Sequence, residues 1–213
     1  MPTSGLCGVI LAAGQSSRMG RDKALLPWPK TDATNPTAPR STLLSSSIHA
    51  LSDPCDFVLV VAGANADNLR PVIYGCGADL VVNPAPERGQ FSSLQVGLQE
   101  VLNRGRDSAM VTLVDRPPLQ PETLAALVEA FVSRAHGTWA VVPEYQGAHG
   151  HPILIGREMI EAFLRAPATA IAREVEHAHQ QRVAYLETSD ALVITNLDTP
   201  EAYSSVQSLQ SAR

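Results

Sequence analysis

Short apolar runs alternate with amphipathic segments along most of the chain. A run of Leu, Ile, Val and Ala between polar residues is typical of a buried strand, whereas apolar residues three and four positions apart are typical of a helix. Residues 121–135 show the helical spacing, with Leu124, Leu127 and Phe131 on one face. The predicted strands span residues 6–12, 57–62, 80–82, 110–114, 139–142 and 153–155, and the predicted helices span residues 42–51, 68–74, 92–102 and 121–135.

Strands that alternate with helices predict βαβ units and a mostly parallel sheet, which is an α/β fold. The chain has 213 residues, and we expect a single domain over 1–213. Residues 29–41 include three prolines and few apolar side chains, so we expect an exposed loop insertion there. The small and polar residues 204–213 predict a flexible tail.

The most informative segment follows the first predicted strand and reads LAAGQSSRMGRDK over residues 11–23. Its small residues allow a tight turn and leave backbone N–H groups available to a ligand. Two cations stand in the same stretch. A polyphosphate needs both kinds of donor, because each donates to its charged oxygens. The segment therefore predicts a nucleoside triphosphate site at the end of the first strand, with Leu11, Ala12, Ala13, Gly14, Arg18 and Lys23 as nucleotide-binding residues.

Two common phosphate loops are excluded by their spacing. A Walker A loop has four residues between its glycines and a hydroxyl residue after its lysine. Here five residues separate Gly14 from Gly20, and Ala24 follows Lys23. The dinucleotide-binding fingerprint has a second glycine two positions after the first, where this chain has Ser16.

Asp115 directly follows the predicted strand 110–114. Because ligands of such sheets bind beyond the carboxyl ends of the strands, Asp115 is expected at the same edge as the triphosphate site. A carboxylate there is a candidate Mg²⁺ ligand, since Mg²⁺ is bound by one or two carboxylates together with substrate phosphates. A turn or a helix cap is the alternative role. Asp198 precedes Pro200 and Glu201, which is typical of a helix start.

Composition narrows the class of protein and its partners. Hydrophobic residues make up 45% of the chain and charged residues 17%, as in globular proteins. The net charge of −5 argues against nucleic-acid and anionic-membrane partners. Three cysteines without a C-x-x-C spacing predict reduced thiols rather than disulfides or a zinc site. No secretory signal pattern and no long apolar run are present, so we expect a cytoplasmic protein.

Residues 12–23 resemble the signature of the nucleotidyltransferases, A-[AG]-G-x-[SG]-x-R-[ML] followed by a lysine. The extension ALLPW over residues 24–28 is similar to the MobA-like branch that attaches a nucleotide to the molybdenum cofactor, and the Ala-Ala-Gly form is similar to its cytidylyltransferases. Further family elements resemble residues 83–94, 111–118 and 195–203. The resemblance implies a Rossmann-like three-layer sandwich with the nucleotidyltransferase fold.

The same resemblance implies catalytic and metal-binding roles. Arg18, Lys23 and Asp115 are implied as catalytic residues. Asp115 and Asp198 are implied as Mg²⁺ ligands, with a helix start as the alternative for Asp198. The chain departs from the family pattern at Asn196, where the family has an aspartate.

Other residues are implied to bind the two substrates. Gly89, Ser92 and Ser93 match a family element that lines the base and ribose pocket, although both serines also stand where a helix N-cap is expected. His151 matches an element that borders the acceptor, with a structural role as the alternative.

The implied reaction transfers CMP from CTP to the phosphate of the molybdenum cofactor (molybdopterin) and releases pyrophosphate. It needs no protein nucleophile, because the acceptor phosphate attacks the α-phosphorus while the protein supplies positioning and charge. A molybdenum hydroxylase is the expected receiver of the product. The alternatives are GTP as the donor, a sugar or polyol phosphate as the acceptor, and a non-catalytic carrier of the dinucleotide cofactor.

Overall fold

The computed structural model describes residues 5–14, 22–28, 41–167 and 169–210. Within these residues the chain forms an eight-stranded sheet with helices on both faces. The strands are β1 (Leu6–Leu11), β2 (Phe57–Ala62), β3 (Asp79–Val82), β4 (Ser108–Leu113), β5 (Ala140–Tyr145), β6 (Ala148–His149), β7 (Ile153–Gly156) and β8 (Val183–Glu187). The helices are α1 (Leu43–Ser52), α2 (Ala66–Gly75), α3 (Gln90–Asn103), α4 (Pro121–Val132), α5 (Arg157–Arg165), α6 (Ala172–Ala178) and α7 (Pro200–Gln210).

The strand order places the ends of the functional strands at one edge. The order is β3-β2-β1-β4-β7-β5-β6, with β8 paired to β5. Strands β1 to β4 are parallel, whereas β7 is antiparallel to both β4 and β5. Strand β5 therefore runs in the same direction as β4, and β8 is parallel to β5. The predicted α/β fold with a mostly parallel sheet is confirmed.

Two cores separate the three layers. Successive side chains of a strand point to opposite faces, so Leu6 and Ile10 of β1 pack with α1, α2 and α4. Cys7 and Val9, on the opposite face of β1, pack with α3 and α5. All four residues are at most 2% exposed. This alternation forms the three-layer sandwich that the family resemblance implies.

A smaller cluster holds the C-terminal segment against the body of the protein. Trp28, Leu43, Leu197 and Val206 are buried together. The ring of Tyr203 in α7 lies 6.1 Å from that of Trp28, and its hydroxyl donates to the carbonyl oxygen of Pro27. The apolar residues after the phosphate loop thus anchor the segment that carries Asp198.

The elements agree with the predicted pattern except in the C-terminal third. All six predicted strands and all four predicted helices are present, with ends shifted by a few residues. Strands β6 and β8 and helices α5 and α6 were not predicted. Strand β8 begins with four apolar residues, a run that was overlooked, but its side chains are exposed or half-buried rather than buried. Strand β6 has two residues, which is too short for periodicity.

Three predictions about the organisation of the chain are not tested by the described residues. The predicted insertion 29–41 lies outside the described residues except for Ser41. Residues 204–210 belong to α7, and residues 211–213 lie outside the described part, so a flexible tail stays a prediction. The single domain over 1–213 likewise stays a prediction.

The three cysteines are not joined in disulfides. Cys7, Cys55 and Cys76 carry free thiols, and burial raises the pKa of Cys7 to about 12.

No helix in the described ranges combines the length and apolar character that crossing a bilayer requires.

Candidate active site

A cleft of about 420 Å³ opens where β1 and β4 end and α3 begins. Seven residues that the sequence singled out line it: Leu11, Ala13, Gly14, Lys23, Gly89, Ser93 and Asp115. Ala64, Pro86, Glu87, Gln90, Leu113 and Val114 complete the lining. The cleft therefore lies at the carboxyl edge of the sheet, where the ligand was predicted to bind.

Two predicted nucleotide-binding residues do not line this cleft. Ala12 is 1% exposed, and its backbone N–H donates to the carbonyl oxygen of Val61 at 2.8 Å. The hydroxyl of Ser92 donates to the carbonyl oxygen of Gly89 at 2.7 Å and is buried. Both residues support the neighbouring residues that line the cleft. Arg18 lies outside the described residues.

Lys23 is held in place by the turn that begins with it. The carboxylate of Asp22 accepts from the backbone N–H of Ala24 at 3.0 Å, which caps the 3₁₀ turn Lys23–Leu25. The Lys23 ammonium lies 2.7 Å from Oδ1 of Asp198 and 3.5 Å from Oδ2 of Asp115. Since the residue is only 9% exposed, the ammonium is fixed between two carboxylates at the cleft.

Asp115 and Asp198 are brought together although they come from distant parts of the chain. The backbone N–H of Leu197 donates to the carbonyl oxygen of Asp115 at 2.9 Å, and the Arg116 guanidinium donates to the carbonyl oxygen of Thr195 at 3.1 Å. These bonds fasten the segment before α7 to the turn after β4. Oδ1 of Asp115 is enclosed and has no hydrogen-bond partner among the described residues.

Neither aspartate is the N-cap of a helix. Helix α4 begins at Pro121 and its N-cap position is Gln120, well after Asp115. Helix α7 begins at Pro200, and Oγ1 of Thr199 accepts from the backbone N–H of Ala202 at 3.2 Å. The helix start predicted around Asp198 is therefore real, but Thr199 supplies the capping oxygen while the Asp198 side chain contacts Lys23.

Gly89 and the two serines form the entry to α3. Gly89 occupies the N-cap position with φ of 92°, a conformation that strongly favours glycine. The side-chain amide of Asn83 donates to both Ser92 and Ser93, at 2.9 Å each. Asn83 is 3% exposed and follows β3 directly, so it fixes the turn that lines the cleft.

Sequence reasoning gave no site role to two asparagines at the cleft edge, Asn65 and Asn83, although Asn83 begins the family element at residues 83–94. The side chain of Asn65 bonds to the carbonyl oxygen of Ala12 and to Asp22, on either side of the phosphate loop. Each asparagine follows a predicted strand within three residues at the ligand edge of the sheet. That position was the available signal, and it was not applied to these two side chains.

His151 is half-buried, its Nδ1 is enclosed, and it does not line the cleft. Burial and the neighbouring Arg116 guanidinium lower its pKa to about 4, and its Nδ1 has no hydrogen-bond partner in the described part of the chain. Its backbone N–H donates to the carbonyl oxygen of Val193 at 2.9 Å. His149 differs, because it is exposed, stacks on Tyr185 at 4.1 Å between ring centroids and lies 3.2 Å from Glu144. Among the described residues no three His, Cys, Asp or Glu side chains form a metal-binding group.

The pattern of the MobA-like NTP transferase domain matches residues 8–183. The chain belongs to this family. The match includes most of β1, the phosphate loop, the α3 turn and Asp115, and the segment with Asp198 follows it. A nucleotidyltransferase assignment therefore agrees with the cleft and its charged residues.

Individual relatives cover nearly the whole chain. A protein named "Probable molybdenum cofactor guanylyltransferase" from Rhodopirellula baltica is 29% identical over 202 residues, covering 92% of this chain and 88% of that protein. The molybdenum cofactor cytidylyltransferase of Escherichia coli is 26% identical over 198 residues, covering 92% of each.

Solved structures of other proteins share the architecture over nearly their whole length. The crystal structure of Rv0371c from Mycobacterium tuberculosis matches with a TM-score of 0.77 at 26% identity, over 96% of this chain and 99% of that one. A manganese complex of the same protein matches with a TM-score of 0.72 at 24% identity, again over 96% and 99%. The nucleotidyltransferase fold implied by the sequence is confirmed.

The lowered pKa of His151 predicts a specific loss of stability in mild acid. Its folded-state pKa of about 4 lies below the ordinary 6.5, so the unfolded chain binds a proton first as the pH falls. The stability that neutral His151 gives the folded protein is therefore complete above pH 6.5 and is lost as the pH falls from 6.5 to 4. At pH 5 the loss is about 2 kcal/mol.

Urea unfolding at pH 7 and pH 5 measures this effect. His151→Gln removes the titrating group, so the variant should lose about 2 kcal/mol less than the wild type between the two pH values. Equal losses in the two proteins would show that His151 does not control this pH dependence.

Proposed function

We propose that this MobA-like protein transfers CMP from CTP to the phosphate of the molybdenum cofactor and releases pyrophosphate. The observation that carries the proposal is the Lys23 ammonium between Asp115 and Asp198 at the cleft formed by the family's phosphate-loop element. The named relatives, a guanylyltransferase and a cytidylyltransferase of the molybdenum cofactor, support the choice of acceptor.

The residues present suit a divalent cation, which we propose to be Mg²⁺. Asp115 and Asp198 already flank a cation, the ammonium of Lys23, and Oδ1 of Asp115 is enclosed without a partner among the described residues. Carboxylate oxygens are the donors that Mg²⁺ prefers. When bound, Mg²⁺ neutralises phosphate oxygens and stabilises the departing pyrophosphate.

The chain itself supplies positioning and positive charge. Backbone groups of Leu11, Ala13 and Gly14 line the cleft beside Lys23 and receive the triphosphate. Lys23, and Arg18 from the same loop, balance the charge that develops as the acceptor oxygen attacks the α-phosphorus and pyrophosphate leaves. The acceptor phosphate is already ionised, so the proposed step requires no general base.

The turn at residues 89–93 is proposed to hold the base and ribose. Gly89 and Ser93 face the cleft, and Ser92 supports the turn from behind through Gly89. For the acceptor side, His151 stays a predicted contact. Because its pKa is lowered to about 4, it would meet the acceptor as a neutral group at pH 7.

Two other functions are distinguished by one experiment. The purified protein is incubated with Mg²⁺ and CTP, alone, with molybdenum cofactor, and with sugar or polyol phosphates. Pyrophosphate release that requires molybdenum cofactor supports the proposal. Release with another acceptor supports a sugar or polyol phosphate nucleotidyltransferase. Tight binding of the dinucleotide cofactor without any release supports a carrier, for example one that delivers the cofactor to a molybdenum hydroxylase.

Lys23→Ala should lower the rate of pyrophosphate release on the order of 10²–10³-fold, because one charge-assisted phosphate contact is lost in the transition state. Stopped or coupled pyrophosphate assays measure the rate. Arg70→Ala is the matched control, since Arg70 is an exposed cation paired with Asp67 on α2, and its rate should equal that of the wild type. A near-normal rate for Lys23→Ala would remove Lys23 from the catalytic site.

CTP should be preferred over GTP on the order of 10²-fold in kcat/KM. A pocket shaped for cytosine by the 89–93 turn excludes the larger guanine, and guanine's polar edge would be buried without partners, at a cost of about 1–3 kcal/mol for each group. Specificity constants for both nucleotides with the same acceptor test this. Equal constants would contradict the cytidylyltransferase assignment while leaving nucleotidyl transfer in place.

A further inference from the structure

Asn65 uses its side chain in an unusual way for its position. It occupies the N-cap of α2, where an asparagine oxygen ordinarily accepts from the first turn of the helix, but it makes no such bond. Its Oδ1 instead accepts from the backbone N–H of Gly63 at 3.1 Å. Its amide nitrogen donates to the carbonyl oxygen of Ala12 at 3.0 Å and to Oδ2 of Asp22 at 2.7 Å.

Those two acceptors lie at the two sides of the phosphate loop. Ala12 directly follows β1, and Asp22 immediately precedes Lys23. One amide group therefore ties together Ala12 before the loop and Asp22 after it. Because an amide nitrogen carries two donors, Asn65 can make both bonds at once.

The two carboxylate oxygens of Asp22 connect the Asn65 side chain to the turn that carries Lys23. Oδ1 accepts from Ala24 and so caps the turn that begins at Lys23, while Oδ2 is held by Asn65. The orientation of Asp22 thus determines where the Lys23 backbone starts. From there the side chain reaches Asp198 and Asp115.

The turn that carries Asn65 is packed too closely to move independently. A Cβ atom at Gly63 would lie 2.9 Å from Cβ of Pro86 and 3.1 Å from the carbonyl oxygen of Ala13. Ala13, Ala64 and Pro86 all line the cleft. The β2–α2 turn is therefore wedged between the phosphate loop and the far wall of the nucleotide cleft.

We propose that Asn65 is a positioning residue for the triphosphate: it holds Asp22, and through Asp22 the Lys23 ammonium, at the place where the nucleotide's phosphates bind. This inference rests on the proposed nucleotide-binding function of the cleft. It extends that function to a residue outside the phosphate-loop element, on the neighbouring strand–helix turn.

Two substitutions separate this role from a purely local turn. Asn65→Asp keeps an oxygen that can accept from Gly63, but a carboxylate cannot donate to Ala12 or Asp22 and adds a negative charge beside Asp22. Asn65→Ala removes all three bonds. Asn68→Ala, on the exposed side of α2, is the matched control.

Calorimetric titration with CTP and Mg²⁺, without acceptor, gives the first measurement. Asn65→Asp and Asn65→Ala should each bind CTP at least about tenfold more weakly, the effect of one lost bond to a charged group. Asn68→Ala should bind as the wild type does. Wild-type affinity in Asn65→Asp would overturn the proposal, because the turn alone would then suffice.

The decisive measurement repeats Asn65→Ala in a Lys23→Ala background, because the charge added by Asn65→Asp would repel a triphosphate whether or not Lys23 is present. If Asn65 acts through Lys23, Asn65→Ala should change CTP affinity there less than about twofold, since interacting residues give non-additive effects. Losses that multiply would overturn the proposal and assign Asn65 a general structural role. If the wild type binds CTP yet transfers no CMP to molybdenum cofactor, the proposed function fails, whereas the same binding comparison still decides the role of Asn65.

Discussion

The arrangement of the site depends on one ammonium group held between two carboxylates. Lys23 comes from the turn after β1, Asp115 from the turn after β4, and Asp198 from the segment before α7. Two carboxylates that converge without a cation would repel each other, and in a half-buried site water screens that repulsion only in part. The ammonium therefore lets three distant parts of the chain meet at one edge of the sheet.

Much of the fold was predictable because the central strands are buried on both faces. Such strands are nearly continuous apolar runs, and β1, β2 and β4 were located within a few residues. The same reasoning did not locate β8, a short run of four apolar residues at the side of the sheet whose side chains are exposed or half-buried. Antiparallel β7 was predicted as a strand, but its direction depends on the short turns around it, which periodicity does not describe.

The site was predictable where charge is visible in the sequence and less so where geometry decides. Asp115 is a charged residue at the end of a predicted strand, Lys23 closes the loop that follows another, and the structure places both at the cleft. Ser92 matched a nucleotide-binding pattern, yet its hydroxyl bonds to Gly89 and supports the backbone. Uncharged Asn65 and Asn83 gave no chemical signal of their own, although each connects two parts of the cleft wall through hydrogen bonds.

The fastening of residues 195–198 to the turn after β4 has a consequence for the order in which the protein is made. The backbone of Leu197 bonds to Asp115, and its side chain is buried with Trp28. During synthesis β1 to β4 and their helices leave the ribosome well before residues 195–198 do, and domains fold as their chains emerge. The growing chain thus acquires the nucleotide cleft before it acquires the second carboxylate. A chain that terminates before residue 195 would keep most of the sheet but not the pair of carboxylates around Lys23.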